Sequence, residues 1–331
     1  MKKFKLCVVV PTYKREKLLI EAVNSIKASA ESCQNAEVTL CIFDNDNKSN
    51  NDEVIKKIKS DSLNIYYQKR ESNIGGNENI IQSLIDSKMN TNCDAFVYLS
   101  DDDFVLPRFI EKITSEFIKG VDALMSSCYV MHEPSLGSNE YTLARHTSRN
   151  VPTRGLSNHK ERLQFILDSR LLSGIGYSRS LVDRFTNQGD AIKEYAMGLW
   201  YPMSFLSSFV GDNVAFIRDP LFVHTQDNQI FWNEFDPYND FFLGRIEMYE
   251  TMERIGNLNR KEKETLLTDF IGHQPLLRII RYISTKNRTK LNFLKIIYVI
   301  IYRKLILERI PKFFEASFRR MLFILGKYRY L

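Results

Sequence analysis

The chain is 331 residues long, with 44% hydrophobic and 12% aromatic residues, 46 Lys and Arg against 40 Asp and Glu, and a formal net charge of +6. It can bury a large core in one elaborated domain or two, and it carries neither an internal repeat nor a low-complexity tract. Five cysteines, at 7, 33, 41, 93 and 128, are odd in number and lack close pairing or His-Cys metal spacing, so buried thiols in a reducing compartment are expected rather than disulfides.

Two lysines open the chain, but the apolar run 6–10 stops at Pro11 and meets Lys14 and Arg15, too short for a signal-peptide core; it reads as a strand. Leu18, Ala22, Val23 and Ile26 then recur at helical spacing. A second apolar run, 38–43, ends in Asp44-Asn45-Asp46-Asn47, and a helix with Val54, Ile55 and Ile58 on one face comes next. Residues 64–67 lead to Asn73-Ile74-Gly75-Gly76, and 77–87 read as a third helix. A fourth run, 95–99, ends at Ser100 and three consecutive acids, Asp101, Asp102 and Asp103, with Pro107 placed to open another helix. Strands alternating with helices predict an α/β fold with a mostly parallel sheet, in which ligands bind beyond the carboxyl ends of the strands. The loops 11–15, 44–47, 73–79 and 101–103 all belong to that edge.

Three adjacent carboxylates repel one another, and a buried strand end gathers them when a cation sits there. Mg²⁺ or Mn²⁺ prefers carboxylate oxygen and brings a phosphate-bearing substrate with it. The competing reading is a solvated turn whose acids favour a helix N-terminus. Other residues of this edge also have two readings. Thr12 is a ligand contact or a helix N-cap, and Asp44 is a ligand contact or the head of an Asx turn. Gly75 and Gly76 allow positive φ or close backbone approach, with Asn73 capping the loop.

Four motifs in this order, Pro11-Thr12-Tyr13-Lys14-Arg15, Asp44-Asn45, Asn73-Ile74-Gly75-Gly76-Asn77-Glu78-Asn79, and Asp101-Asp102-Asp103 with Pro107, resemble the inverting GT-A glycosyltransferases of family 2. The third motif is similar to that of O-antigen enzymes of the abequosyltransferase type. The likeness is firm over residues 4–125 and thinner to about 235. It implies a GT-A domain over 1–235, with a nucleotide-binding half at 1–125 and an acceptor-side half at 126–235, and a helical C-terminal region over 236–331. Carried over residue by residue, Pro11, Thr12, Tyr13 and Arg15 line the nucleotide pocket and Asp44 meets the base or ribose. Asn73, Gly75, Gly76 and Asn79 complete that wall, Asp101 and Asp102 face the donor, and Asp103 binds Mn²⁺ or Mg²⁺. The implied reaction moves a sugar from a nucleotide-diphosphate donor to an undecaprenyl-linked O-antigen or capsule intermediate.

An inverting transfer needs a carboxylate to take the acceptor proton. The Glu-Asp pair that many relatives carry for this is missing from 189–202, where Asp190 and Glu194 are the candidates and solvated surface acids the competing reading; Asp183 and Asp212 are weaker alternatives. In the stretch 216–224, His224 is a metal or diphosphate ligand or else a core histidine, and Arg218 a phosphate contact. Asp227, Gln229, Trp232 and the Trp200-Tyr201 pair suit a sugar-binding wall. The same missing pair suggests an alternative, an inactive nucleotide-sugar-binding subunit of a polysaccharide assembly complex. A nucleotidyltransferase is disfavoured because no Gly-rich, Lys-containing loop follows the first strand.

Residues 278–331 hold 14 Lys and Arg against only Glu308 and Glu315, which leaves residues 1–277 with a net charge of −6. The apolar stretch 291–302 is interrupted by Lys295 and falls short of the ~20 residues a spanning helix needs. After Pro311, Phe313, Phe314, Phe318, Met321, Leu322 and Leu325 recur at helical spacing among basic residues. Such helices lie in the headgroup region of anionic membranes. The sequence thus predicts a cytoplasmic enzyme peripheral to the inner face of the cell membrane, with no nucleic-acid partner. The competing reading packs the two helices on the catalytic body.

Overall fold

A computed structural model describes residues 3–132, 142–146, 158–199, 201–225 and 242–272 of the chain. The chain divides into two compact units, 1–244 and 245–331.

The first unit begins with the expected alternation: β1 (Phe4–Thr12), α1 (Glu16–Glu31), β2 (Ala36–Asp44), α2 (Asn51–Ile55), β3 (Leu63–Lys69), α3 (Gly76–Asn90) and β4 (Ala95–Tyr98). β1 pairs in parallel with both β2 and β4, and β2 in parallel with β3. Residues 6–10 of β1 are wholly buried, as a strand covered on both faces must be. Leu6, Val8 and Val10 join one core with Leu19, Ala22, Val23 and Ile26 of α1, so Leu19 rather than Leu18 leads the buried stripe.

β1 does not break at Pro11. It runs on to Thr12, with Pro11 opposite Phe43 and Thr12 opposite Asp44. Proline is tolerated because the pairing with β4 ends at Val9 and Tyr98, so Pro11 is flanked on one side only and no donor is missed on the other.

Beyond β4 come β5 (Phe104–Val105), α4 (Phe109–Ile118), β6 (Ala123–His132), β7 (Thr142–His146), α5 (Asn158–Asp168), β8 (Ile175–Ser178), α6 (Arg179–Thr186), α7 (Asp190–Met197), α8 (Pro202–Leu206) and β9 (Val214–Thr225). Among the described residues the sheet has nine strands, in the order β3-β2-β1-β4-β8-β6-β9-β5, with β7 beside β6. It is parallel throughout its first half and mixed in its second: β8 runs antiparallel to β4 and β6, β5 antiparallel to β9, and β6 parallel to β9. The pairing of β5 with β9 sets Phe104 opposite Val223. That register brings the last residues of β9 alongside the acidic turn between β4 and β5. All five cysteines are buried, and none is in a disulfide.

In the second unit α9 (Gly244–Arg254) leads to α10 (Arg260–Gly272). Asn259 and Glu262 form a reciprocal cap: Asn259 Oδ1 accepts the Glu262 N–H at 3.0 Å and Glu262 Oε2 the Asn259 N–H at 2.7 Å. Arg245 is buried, with Nε 3.0 Å from the Tyr249 hydroxyl and its guanidinium over the Phe270 ring. The basic amphipathic segment from 278 onward lies outside the described residues. No helix among the described residues is long and apolar enough to cross a membrane.

Candidate functional site

The acidic turn is not a solvated loop. Asp101, Asp102 and Asp103 are 4%, 9% and 1% exposed, and their side chains divide between two walls. Asp101 and Asp102 turn toward the end of β1. Asp101 Oδ2 accepts the Thr12 hydroxyl at 2.7 Å and the Tyr13 N–H at 3.3 Å, while Arg15 Nη1 reaches Asp101 Oδ1 at 3.0 Å and Asp102 Oδ2 at 2.6 Å. Asp102 Oδ1 also accepts the Ser100 hydroxyl at 2.6 Å. Thr12 therefore does not cap α1; its hydroxyl belongs to the acidic turn.

Asp103 turns the other way, to the end of β9. Its Oδ1 accepts the Thr225 N–H at 2.9 Å, its Oδ2 the Ser173 hydroxyl at 2.5 Å, and His224 Nδ1 lies 3.1 Å from Oδ1. The Thr225 hydroxyl closes the corner by donating to the Asp102 carbonyl at 2.8 Å. His224 is thus a partner of the acidic turn and not an isolated core histidine.

Three buried carboxylates against one guanidinium carry an electrostatic cost. Burial pushes the Asp101 carboxyl up to about 6, the Arg15 charge and the Thr12 hydroxyl only partly opposing it and Asp102 adding to it. Burial likewise raises Asp102, with the Asp103 charge reinforcing the shift. A site that holds carboxylates in this state gains when a cation enters it.

Among the described residues, no group of three or more His, Cys, Asp and Glu side chains is gathered as a cage. Asp103 and His224 lie within hydrogen-bond distance of each other, 3.1 Å, and the Asp103 carboxylate is an oxygen donor of the kind Mg²⁺ or Mn²⁺ takes. Few protein ligands, with phosphate oxygens and water completing the shell, is how Mg²⁺ is ordinarily bound. The residues fit a substrate-borne cation.

At the neighbouring loops the picture differs from expectation. Asp44 is wholly buried and its carboxylate is taken by protein donors: the Asp46 N–H at 2.9 Å, the Asn51 amide at 2.7 Å, the Tyr67 hydroxyl at 2.8 Å and the Ser49 hydroxyl. The Asp46 N–H bond is the Asx turn expected of it. Asn79 is corrected likewise: its amide donates to the Phe43 carbonyl and accepts from Arg70 Nε, 3% exposed. It ties α3 to β2 instead of meeting a donor. Asn73 Oδ1 accepts the Gly75 N–H at 2.9 Å, so Asn73 caps the loop. Gly75 has φ of +91°, and an added side chain at Gly75 or Gly76 meets open space. The glycines serve backbone conformation and leave room above them for a ligand.

Both base candidates lie at the surface of α7. Asp190 lies in the first turn of α7, its side chain 88% exposed and 2.7 Å from Lys193, whose hydrogen bond lowers its pKa. Glu194 is exposed one turn further on. Asp183 pairs with Lys88 at 2.8 Å, and Asp212 is exposed before β9. Arg218 is exposed on β9, six residues before His224, with the two register shifts of the β6–β9 pairing between them. Asp227, Gln229, Trp232 and Trp200 lie outside the described residues.

Three residues of the site escaped the sequence reading. Asn45, 2% exposed, donates its backbone N–H to the Thr12 carbonyl and its amide to Asn73, joining the first three loops. Ser173 and Thr225 hold Asp103. The only sequence signal for them is position: Ser173 precedes a glycine at the start of β8, and Thr225 ends β9 beside His224.

An acidic turn on the carboxyl edge of a sheet that is parallel in its first half and mixed in its second is the GT-A arrangement. The family model described as Glycosyl transferase family 2 matches residues 7–184, more than half of the chain, and the chain belongs to that family. No curated protein sequence matches it. Among solved structures it is similar to S. aureus TarS 1-349 in complex with UDP-GlcNAc, with a TM-score of 0.60 at 14% identity over 91% of this chain and 82% of that one. The UDP complex of the same protein gives a TM-score of 0.57 at 14% identity, covering 92% and 76%. At that identity the likeness is one of fold.

Proposed function

We propose that the protein transfers a sugar, with inversion, from a nucleotide-diphosphate donor to a lipid-linked O-antigen or capsule intermediate, as the likeness to abequosyltransferase-type enzymes suggests. The observation that carries the donor half of this reading is the convergence of Thr12, Tyr13, Arg15, three aspartates and His224 on one buried corner. Thr12, the Tyr13 backbone, Arg15 and Asp101 would orient the nucleotide, and Arg15 can exchange an aspartate for a phosphate oxygen. Asp103 and His224 would hold Mn²⁺ or Mg²⁺. When bound, such an ion neutralises charge on the leaving diphosphate. The burial of the corner excludes water and keeps its charges effective. The GT-A domain is read as 1–235 and the helical region as 236–331, with the basic tail resting on the inner membrane leaflet near the acceptor.

The test is a panel of UDP-, GDP-, CDP- and dTDP-sugars incubated with purified protein, with and without Mn²⁺, and scored for nucleotide release and for transfer to a lipid-linked acceptor. UDP-sugars come first because TarS has been crystallised with UDP-GlcNAc and with UDP. Neither binding nor release with any of the four donor classes argues against the donor reading, and release that ignores the cation removes the ion from it.

The exposure of Asp190 and Glu194 favours a second reading, a donor-binding subunit that does not transfer. In that case nucleotide sugars bind but neither release nor transfer is seen.

A further inference from the structure

Ser173 sits just before β8, 70 residues from Asp103, and is 2% exposed. A hydroxyl has one proton to donate and lone pairs to accept. The proton goes to Asp103 Oδ2 at 2.5 Å, and a lone pair takes the Ser100 N–H at 2.8 Å. The same oxygen therefore grips the acidic turn at its first residue and at its last carboxylate. Rotating it away would leave a buried N–H without its partner and a carboxylate short of a charge-assisted bond.

The backbone around Ser173 fixes it in place. Gly174 has φ of +70°, and a Cβ there would stand 2.5 Å from Ser126 Oγ and 2.6 Å from a Phe222 ring carbon. Its N–H donates to the Tyr98 carbonyl at 2.9 Å and its carbonyl accepts the Ser126 N–H at 3.0 Å. Ser173 is thus anchored to β4 and β6 through the next residue. Thr225 grips Asp103 from the opposite side, at the end of β9. Donors from the residue pair leading into β8 and from the end of β9 hold the Asp103 carboxylate beside His224.

We propose that Ser173 is a positioning residue for a divalent cation held with the donor diphosphate, acting by orienting Asp103; this rests on the donor-site reading above. Residues that orient a ligand in this way typically change metal affinity by about 10- to 100-fold when removed.

The experiment measures, by calorimetry on the full chain, the affinity of the tightest-binding of UDP, GDP, CDP and dTDP, with and without Mn²⁺. Ser173→Ala is expected to lose about 10- to 100-fold of the Mn²⁺-supported affinity while the Mn²⁺-free affinity and the circular dichroism spectrum stay as in the wild type. Ser173→Thr, which keeps the hydroxyl, is expected to restore most of the loss. Should the alanine variant not fold, Ser173→Cys, close in size and a weak donor, is measured for the same ratio. An unchanged ratio in the folded alanine or cysteine variant overturns the proposal. Equal losses with and without Mn²⁺ also overturn it, because they mark a general packing role. A wild type whose nucleotide affinity ignores Mn²⁺ overturns the donor-site reading and this inference together.

Discussion

His224 Nδ1 lies 3.1 Å from Asp103 Oδ1, although 121 residues separate them in the chain. The contact follows from the antiparallel register of β5 on β9, which sets Phe104 opposite Val223 and so makes their neighbours, Asp103 and His224, meet. Asp103→Asn keeps the shape of the side chain and one accepting oxygen, which can still take the Thr225 N–H, and circular dichroism checks that the fold is kept. Cation-dependent nucleotide release should fall by more than the about 10- to 100-fold typical of outer-shell changes. His224→Ala should fall less. Initial rates across a Mn²⁺ titration measure both, and unchanged rates with unchanged Mn²⁺ dependence would remove the cation from the site.

Stability should depend on pH through Asp101. Its folded pKa is about 6 against an ordinary 3.8, because burial disfavours the charge. The folded state therefore binds the proton more tightly, so this group's contribution is fully favourable below pH 4 and is lost as pH rises through 6. The whole window is worth about 3 kcal/mol at 1.36 kcal/mol per unit. Urea midpoints at pH 4.5 and 7 should show about 2 kcal/mol of this gain in the ligand-free wild type and a smaller one in Asp101→Asn, where Asp102, also raised by burial, remains. A variant with the same slope as the wild type would place the titration elsewhere.

On α7, Asp190→Asn and Glu194→Gln are expected to change transfer by less than about twofold, since removing a true general base lowers the rate by ~10²–10⁴, whereas both acids lie exposed and Asp190 is paired with Lys193. Steady-state transfer with donor binding measured alongside decides this. A loss of that size in either variant, with donor binding intact, would return the base to α7.

The basic tail makes a prediction of its own. Each Lys or Arg near an anionic leaflet contributes about 1 kcal/mol, and residues 278–331 carry 14 of them against two Glu. Deleting 288–331 should release the protein from anionic liposomes in a flotation assay and leave nucleotide-sugar hydrolysis largely intact, while added salt should release the full chain. A truncated chain that still floats with the liposomes, or that fails to fold, supports helices packed on the body instead.

The strand-helix alternation of residues 4–98 was legible from the sequence because a sheet covered on both faces demands unbroken β-branched and apolar runs, such as 6–10 and 38–43, and only solvent-facing turns can interrupt them. The position of the acidic turn followed from the same rule, as the end of β4. What the side chains of that edge do was settled only by tertiary structure. Asp44 and Asn79 read as ligand contacts by type and place, yet both turn inward, onto Ser49, Asn51 and Tyr67 in one case and onto Phe43 and Arg70 in the other. Ser173 and Thr225 were silent because their partner, Asp103, is 70 and 122 residues away. The mixed second half of the sheet was likewise hidden. Local periodicity records which residues are buried in a strand, but the neighbour and direction of that strand are set by long-range pairing, which leaves no mark on the spacing of its own residues.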